Sequence, residues 1–148
     1  MFLDYHRPIV GDPENGLKLA RAVGRAVRKH FPEATAVAGT GASGLLILLT
    51  AAKAARLPPI VVRKAGETSH MVGLCVGQEG VGHRVVLVDD SVETGETLRR
   101  VRDTLAPEGV GQLIGVVVHQ AHYAERRIVC GIPVFEIRAR PGGRPVLG

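Results

Sequence analysis

The chain has 148 residues, of which 45% are hydrophobic and 22% are charged, and its formal net charge is +5. This length suits one domain, and the composition is that of an ordinary globular protein. No apolar run reaches the roughly 18 residues that a membrane-spanning helix needs, and the first residues lack the pattern of a secretion signal. We therefore expect a cytoplasmic protein that does not engage a membrane.

The positive charge favours an anionic partner, such as a phosphorylated small molecule or a nucleic acid. Only 3% of the residues are aromatic, which argues against a protein that stacks the bases of single strands. A nucleic-acid partner is therefore not expected. The two cysteines, Cys75 and Cys130, lie in apolar stretches and are expected to be reduced, buried thiols.

The first predicted element is a helix that begins after Asp12, a capping carboxylate followed by a proline, and ends at Pro32. Apolar residues recur through it at helical spacing. A basic stripe runs beside the apolar one, formed by Lys18, Arg21, Arg25 and Lys29. The stripe is either a solvated surface, which is the simpler interpretation, or a patch that contacts nucleic acid.

Strands and helices alternate along the rest of the chain. Apolar runs predict strands at residues 34–38, 59–63, 85–88, 113–118 and 134–137. Helices are predicted at residues 43–55, 98–105 and 121–130, the last one ended by Gly131. This order favours a single α/β domain, a parallel sheet with helices on both faces. Residues 34–138 would form its core and residues 139–148 a loosely ordered tail.

A long segment between two of these strands has no sustained period. Residues 64–83 contain five glycines and are predicted to form a loop, with a short extended piece within residues 71–76. Loops of this length inside a compact domain are often functional lids.

The most informative segment is VVLVDDSVETGETL, residues 85–98. A buried strand ends in Asp89 and Asp90, which repel each other unless a cation or hydrogen-bond donors lie between them. Sugar hydroxyls or a hydrated Mg²⁺ would serve, since magnesium favours oxygen ligands. Hydroxyl residues and a glycine then lead into a helix, whose free N–H groups can bind an anion. One turn thus matches the shape of ribose 5-phosphate.

The run VVLVDDSVETGET, residues 85–97, resembles the PRPP-binding signature of type I phosphoribosyltransferases, where PRPP is phosphoribosyl pyrophosphate. The resemblance implies transfer of the 5-phosphoribosyl group of PRPP to a nucleobase with release of pyrophosphate, a Mg²⁺ cofactor and a homodimer. It implies that Asp89 and Asp90 contact the ribose hydroxyls and hold Mg²⁺, directly or through water or substrate. The 5-phosphate would be bound by Ser91, Val92, Glu93, Thr94, Gly95, Glu96 and Thr97.

Two acidic residues depart from that pattern. Glu96 places a negative charge in a phosphate-binding turn, so we expect its side chain to point outward. In hypoxanthine and guanine members, an acid at the position of Glu93 is the general base, whereas orotate members carry a hydroxyl residue there. Glu93 is either a catalytic base or an exposed loop residue, so a purine acceptor is slightly favoured and orotate is the alternative.

Residues 39–44 read GTGASG after a strand and before a helix, which is the outline of a dinucleotide-binding turn. The acid that should follow the next strand is replaced by Arg63 and Lys64, so an oxidoreductase is the weaker interpretation. The resemblance implies instead a turn whose backbone faces pyrophosphate. The implied pyrophosphate-binding residues are Thr40, Gly41, Ala42, Arg63 and Lys64.

The resemblance also makes residues 1–33 a helix and hood, and residues 64–83 a mobile lid over the site. Orotate members usually have a further lysine and a histidine in this loop. His70 matches the histidine, but no lysine follows Lys64 within the loop. His119 lies where purine members read the base, so His70 and His119 are candidate base-binding residues. His119 and His122 do not make a zinc site, because no third ligand accompanies them. A further alternative is a non-catalytic regulator that senses PRPP and binds nucleic acid.

Overall fold

The computed structural model describes residues 12–63, 75–76, 82–90, 92, 95–107, 109–119, 126–139 and 145–147. The helices in this part of the chain are α1 (Pro13–His30), α2 (Gly41–Ala55) and α3 (Glu96–Leu105). Its strands are β1 (Ala36–Gly39), β2 (Pro59–Val62), β3 (Cys75–Val76), β4 (His83–Asp89), β5 (Gly111–Val118), β6 (Arg126–Val129), β7 (Ile132–Ala139) and β8 (Pro145–Leu147).

The strands form one sheet in the order β3-β2-β1-β4-β5-β7-β6, with β8 paired to β7. Its five central strands, from β2 to β7, pair in parallel. The strands β3, β6 and β8 pair antiparallel at the margins. The predicted α/β fold is therefore confirmed, with the addition that the sheet is mixed at its edges.

Helices cover both faces of the sheet, as predicted. Successive residues of a strand point to opposite faces, so Val86 packs in the cluster under α1 and α2 while Leu87 packs in the cluster under α3. Val117 and Val116 divide in the same way on β5. Burial on both faces explains why these strands are continuously apolar in sequence.

The first helix begins where the sequence predicts. The Asn15 backbone N–H donates to Asp12 Oδ1 at 3.2 Å, and Pro13 occupies the first turn. The whole basic stripe of α1 is exposed on the side away from the sheet. Within the described residues, no helix is both long enough and apolar enough to cross a bilayer.

The predicted helix over residues 121–130 is wrong for its second half. Residues 126–129 are β6, and Cys130 and Gly131 form the two-residue turn of a hairpin with β7. Both turn residues have positive φ, 54° at Cys130 and 76° at Gly131, which is the backbone that tight hairpins require. The glycine that suggested a helix end is part of this turn. Residues 121–125 lie outside the described part.

Two short strands lie in segments that the sequence left without a firm structure. β3 falls within the predicted extended piece at residues 71–76 and pairs with β2. β8 pairs with β7 at residues 145–147, so the expectation of a loosely ordered tail is wrong for these three residues. The remaining residues of the predicted lid, apart from 82 and 83, lie outside the described part.

Candidate functional site

Four parallel strands end at one edge of the sheet, which we call the carboxyl edge. β1, β2, β4 and β5 run in the same direction, and they are followed by Thr40, Arg63, Asp90 and His119. In open α/β sheets, ligands bind beyond this edge. The structure therefore brings together the turns that the sequence singled out.

The acid pair lies at the end of the central strand β4. Asp89 is buried, with 6% of its surface exposed, and Asp90 is half-buried. The Asp90 backbone N–H donates to Asp89 Oδ1 at 2.8 Å, which holds the buried carboxylate in place. The pair is thus a fixed source of negative charge at the carboxyl edge.

The donor chemistry of this pair fits a magnesium ion that is shared with a ligand. Asp89 and Asp90 supply carboxylate oxygens, which Mg²⁺ prefers. Among the described residues, no group of three or more metal-binding side chains comes together. Mg²⁺ usually keeps several waters and takes further oxygen ligands from substrate phosphates, so one or two carboxylates can suffice as its protein ligands.

The turn that follows the acid pair leads into the N-terminus of α3. Gly95 is the N-cap with φ of 81°, and as a glycine it makes no capping hydrogen bond with a side chain. A Cβ on Gly95 would lie 2.7 Å from Val129 Cγ1 and 2.9 Å from Cys130 Sγ, so the β6–β7 hairpin presses on this turn. The first N–H groups of a helix have no acceptor within the helix, so the start of α3 suits an anion.

The other residues of this turn differ in their surroundings. Val92 is 8% exposed and packs in the core under α3, so only its backbone could face a ligand. Glu96 is exposed and Thr97 is half-buried. The exposure of Glu96 agrees with the expectation that its side chain points outward. Three further predicted residues lie outside the described part: Ser91, Glu93 and Thr94.

The turn between β1 and α2 is also open to an anion. Thr40 is the N-cap of α2, but its side chain makes no capping hydrogen bond, and no acid lies in the first turn. Gly41 has φ of 68°, and a Cβ there would have no atom within 4 Å. Ala42 is exposed. The backbone at Gly41 and Ala42 can therefore be approached closely.

Two further candidates occupy the same edge. Arg63 follows β2 and is half-buried. His119 is 7% exposed, and because Val118 pairs with Asp89, His119 and Asp90 leave neighbouring strands side by side. Lys64 and His70 lie outside the described part, so their predicted contacts with pyrophosphate and base stay predictions.

The sequence analysis missed one residue that reaches this site. Arg100 of α3 donates from Nη2 to Thr40 Oγ1 at 3.0 Å, across 60 positions of the chain. The helix carries three arginines close together, Arg99, Arg100 and Arg102. No local sequence pattern distinguishes Arg100 from the other two as a residue of the site. Only the packing of α3 against the carboxyl edge selects it.

Comparison with known proteins decides the family of this chain. Residues 51–132, more than half of the chain, match the model of the phosphoribosyl transferase domain. The chain belongs to the type I phosphoribosyltransferase family. This confirms the resemblance that residues 85–97 carried.

Individual phosphoribosyltransferases are similar to the chain over most of its length. The orotate phosphoribosyltransferase of Halalkalibacterium halodurans is 28% identical over 112 residues, which are 76% of this chain and 53% of that protein. The chain spans about half the length of the curated relatives it matches.

Two solved phosphoribosyltransferases share the fold. The orotate phosphoribosyltransferase of Aeropyrum pernix has a TM-score of 0.65 at 18% identity, covering 88% of this chain and 74% of its own. The adenine phosphoribosyltransferase of Saccharomyces cerevisiae has a TM-score of 0.60 at 24% identity, covering 76% and 71%. At these identities the likeness concerns the fold alone.

Proposed function

We propose that this phosphoribosyltransferase binds PRPP with Mg²⁺ and transfers its 5-phosphoribosyl group to a nucleobase, releasing pyrophosphate. The observation that carries the proposal is that the acid pair at the end of β4 is followed closely by the N-terminus of α3. A fixed pair of acids is followed, five residues after Asp90, by the N-terminus of a helix whose N-cap is a glycine. Beside it lies a second turn open to anions, after β1.

Each part of PRPP has a matching group at the carboxyl edge. The 5-phosphate would accept hydrogen bonds from the first N–H groups of α3. Asp89 and Asp90 would accept from the ribose hydroxyls and hold Mg²⁺. The pyrophosphate would lie against residues 40–42, with Arg63 and Lys64 near it.

The reaction breaks the bond between the anomeric carbon and the pyrophosphate oxygen, and a ring nitrogen of the base bonds to that carbon. Positive charge develops on the sugar, which the acid pair stabilises, and negative charge develops on the leaving group, which the cations stabilise. Mg²⁺, when bound, adds further charge neutralisation on the pyrophosphate. The protein contributes mainly orientation and electrostatics.

We propose orotate as the first acceptor to be tested, because the curated relatives compared are named orotate phosphoribosyltransferases. A purine remains the alternative, supported by Glu93 as a general base and by the absence of a lysine between Lys64 and Val85. We propose that His119, which follows β5 next to Asp90, contacts the base in either case.

Release of pyrophosphate from PRPP, measured with orotate, adenine, hypoxanthine and guanine in turn, tests the proposal. We expect Mg²⁺-dependent release with one of these bases. Glu93→Gln should strongly reduce release if the acceptor is hypoxanthine or guanine and leave it nearly unchanged if the acceptor is orotate. Absence of release with every base would contradict the enzymatic function.

The basic stripe of α1 favours a second candidate function, a regulator that senses PRPP and binds nucleic acid. The four basic side chains of the stripe are exposed. The ion pair between Arg102 and Asp103 lies on α3 and does not involve them. Binding through such a stripe should weaken steeply between about 50 and 200 mM salt. An electrophoretic shift assay measures this, and absence of a shift at low salt would eliminate the regulator.

A further inference from the structure

A hydrogen bond joins α3 to the turn after β1. Arg100 Nη2 donates to Thr40 Oγ1 at 3.0 Å, although the residues belong to α3 and to the turn after β1. Thr40 is 3% exposed, and its hydroxyl does not cap α2. The hydroxyl is therefore oriented by Arg100 and not by the helix that it precedes.

The other terminal nitrogen of Arg100, Nη1, has different surroundings from Nη2. Nη1 is buried and has no hydrogen-bond partner within the described residues. Nor does the described part of the chain show an ion pair for Arg100, whereas Arg102 on the same helix pairs with Asp103 at 3.2 Å. Burying a charged donor without an acceptor costs free energy of folding. An acceptor atom from a bound ligand would remove that cost.

The position of Arg100 identifies the chemistry of that ligand. Arg100 lies five residues after Gly95, about 7.5 Å along α3 from the helix start, and it reaches the turn at Thr40. The register of β1 with β4 aligns Ala38 with Leu87, so Thr40, just after the end of β1, lies level with Asp89 at the end of the adjacent strand β4. The guanidinium thus stands at the carboxyl edge between the two turns open to anions. A planar guanidinium is well suited to phosphate oxygens.

We propose that Arg100 is a phosphate-binding residue of the PRPP site. Nη2 is held by Thr40, and Nη1 donates to an oxygen of the pyrophosphate group. The inference rests on the proposed function, because it takes PRPP as the ligand. It adds to the family's signature a cation from the body of α3, beyond the turn at residues 91–97.

Binding of inorganic pyrophosphate and of ribose 5-phosphate, each with Mg²⁺ and measured by calorimetry on the full chain, tests this proposal. Arg100→Met should weaken pyrophosphate binding about tenfold to a hundredfold, the effect of losing a charged hydrogen bond. Ribose 5-phosphate binding should change less than threefold. Arg99→Met is the matched control, because Arg99 is the exposed neighbour on the same helix.

Thr40→Val provides a second variant, which removes the hydroxyl and keeps the guanidinium. It should weaken pyrophosphate binding by a smaller factor than Arg100→Met. If Arg100→Met fails to fold, Arg100→Lys replaces it, because it keeps the charge but loses the fork geometry. It should still bind pyrophosphate more weakly than the unaltered chain.

The outcomes separate the two proposals. If the unaltered chain binds neither PRPP nor pyrophosphate, the proposed function fails and this inference fails with it. If the unaltered chain binds both and the Arg100 variants match Arg99→Met, only the role of Arg100 is overturned. A loss of ribose 5-phosphate binding with normal pyrophosphate binding would also contradict it.

Discussion

At the scale of single residues, the acid pair at the end of β4 sets the chemistry of the carboxyl edge. Asp89 is buried and accepts a backbone hydrogen bond from Asp90, whereas Asp90 itself is only half-buried. Like charges this close are stable only where a cation or hydrogen-bond donors approach them. Because Asp90 is the more accessible of the two, its carboxylate would interact most strongly with a bound sugar or Mg²⁺.

Replacing Asp90 by asparagine keeps the shape of the side chain and removes its charge. Asp90→Asn should lower kcat/KM for PRPP about tenfold to a hundredfold, because a charged hydrogen bond to the ribose or to Mg²⁺ is lost. The melting temperature should stay within a few degrees of that of the unaltered chain. Steady-state kinetics and thermal melting measure the two effects.

Asp103→Asn is the control for this substitution. Asp103 also carries a carboxylate, but it is 70% exposed and pairs with Arg102 on the surface of α3. Surface pairs of this kind contribute little, so the control should leave both kinetics and melting unchanged. Unchanged kinetics in Asp90→Asn would count against the role of the acid pair.

At the scale of elements, the β6–β7 hairpin supports the turn before α3. Val129 and Cys130 lie against the α-carbon of Gly95 so closely that a Cβ would not fit. Gly95 also has φ of 81°, a conformation that side chains disfavour. The helix N-terminus proposed for the 5-phosphate is thus positioned by a second part of the sheet.

Gly95→Ala should destabilise the chain by more than its backbone conformation alone explains. Gly109→Ala isolates that backbone effect, because Gly109 has φ of 72° and open space where a Cβ would lie. We expect a loss of about 1 kcal/mol in the free energy of unfolding for Gly109→Ala. For Gly95→Ala we expect about 2 to 4 kcal/mol, since overpacking adds to the strain. Urea denaturation measures both, and equal losses would show that the hairpin does not constrain the turn.

The elements also show what the sequence could predict. The strands β4 and β5 are buried on both faces and therefore read as continuous apolar runs, and α3 shows a clear helical period at Leu98, Val101 and Leu105. The acid pair was legible because it directly follows such a strand. The hairpin was missed because a glycine after a polar segment suggests a helix end as readily as a tight turn.

Contacts between segments that are distant in the chain could not be predicted from the sequence. The bond from Arg100 to Thr40 depends on how α3 packs over β1, and no local spacing encodes that distance. The closeness of Gly95 to Cys130 has the same origin. Such contacts follow from the tertiary arrangement, and the turn chemistry alone does not specify them.

At the scale of the whole molecule, the net charge of +5 agrees with a protein that binds a multiply charged anion. The carboxyl edge carries Asp89 and Asp90 after β4 and Arg63 after β2, and Arg100 of α3 reaches Thr40 at the same edge. The expected homodimer stays a prediction, as do the lid at residues 64–83 and the hood at residues 1–33. None of these is needed for the central claim. That claim is that the end of β4, the turn after it and the start of α3 together bind a phosphorylated sugar.

A crystal structure of the full chain with PRPP and Mg²⁺, without a base, tests that claim most directly. The account predicts the 5-phosphate within hydrogen-bond distance of the N–H groups at the start of α3, and the ribose hydroxyls against Asp89 and Asp90. It predicts the pyrophosphate near residues 40–42 and Arg63. PRPP bound elsewhere, or this turn left empty at saturating PRPP, would contradict the account.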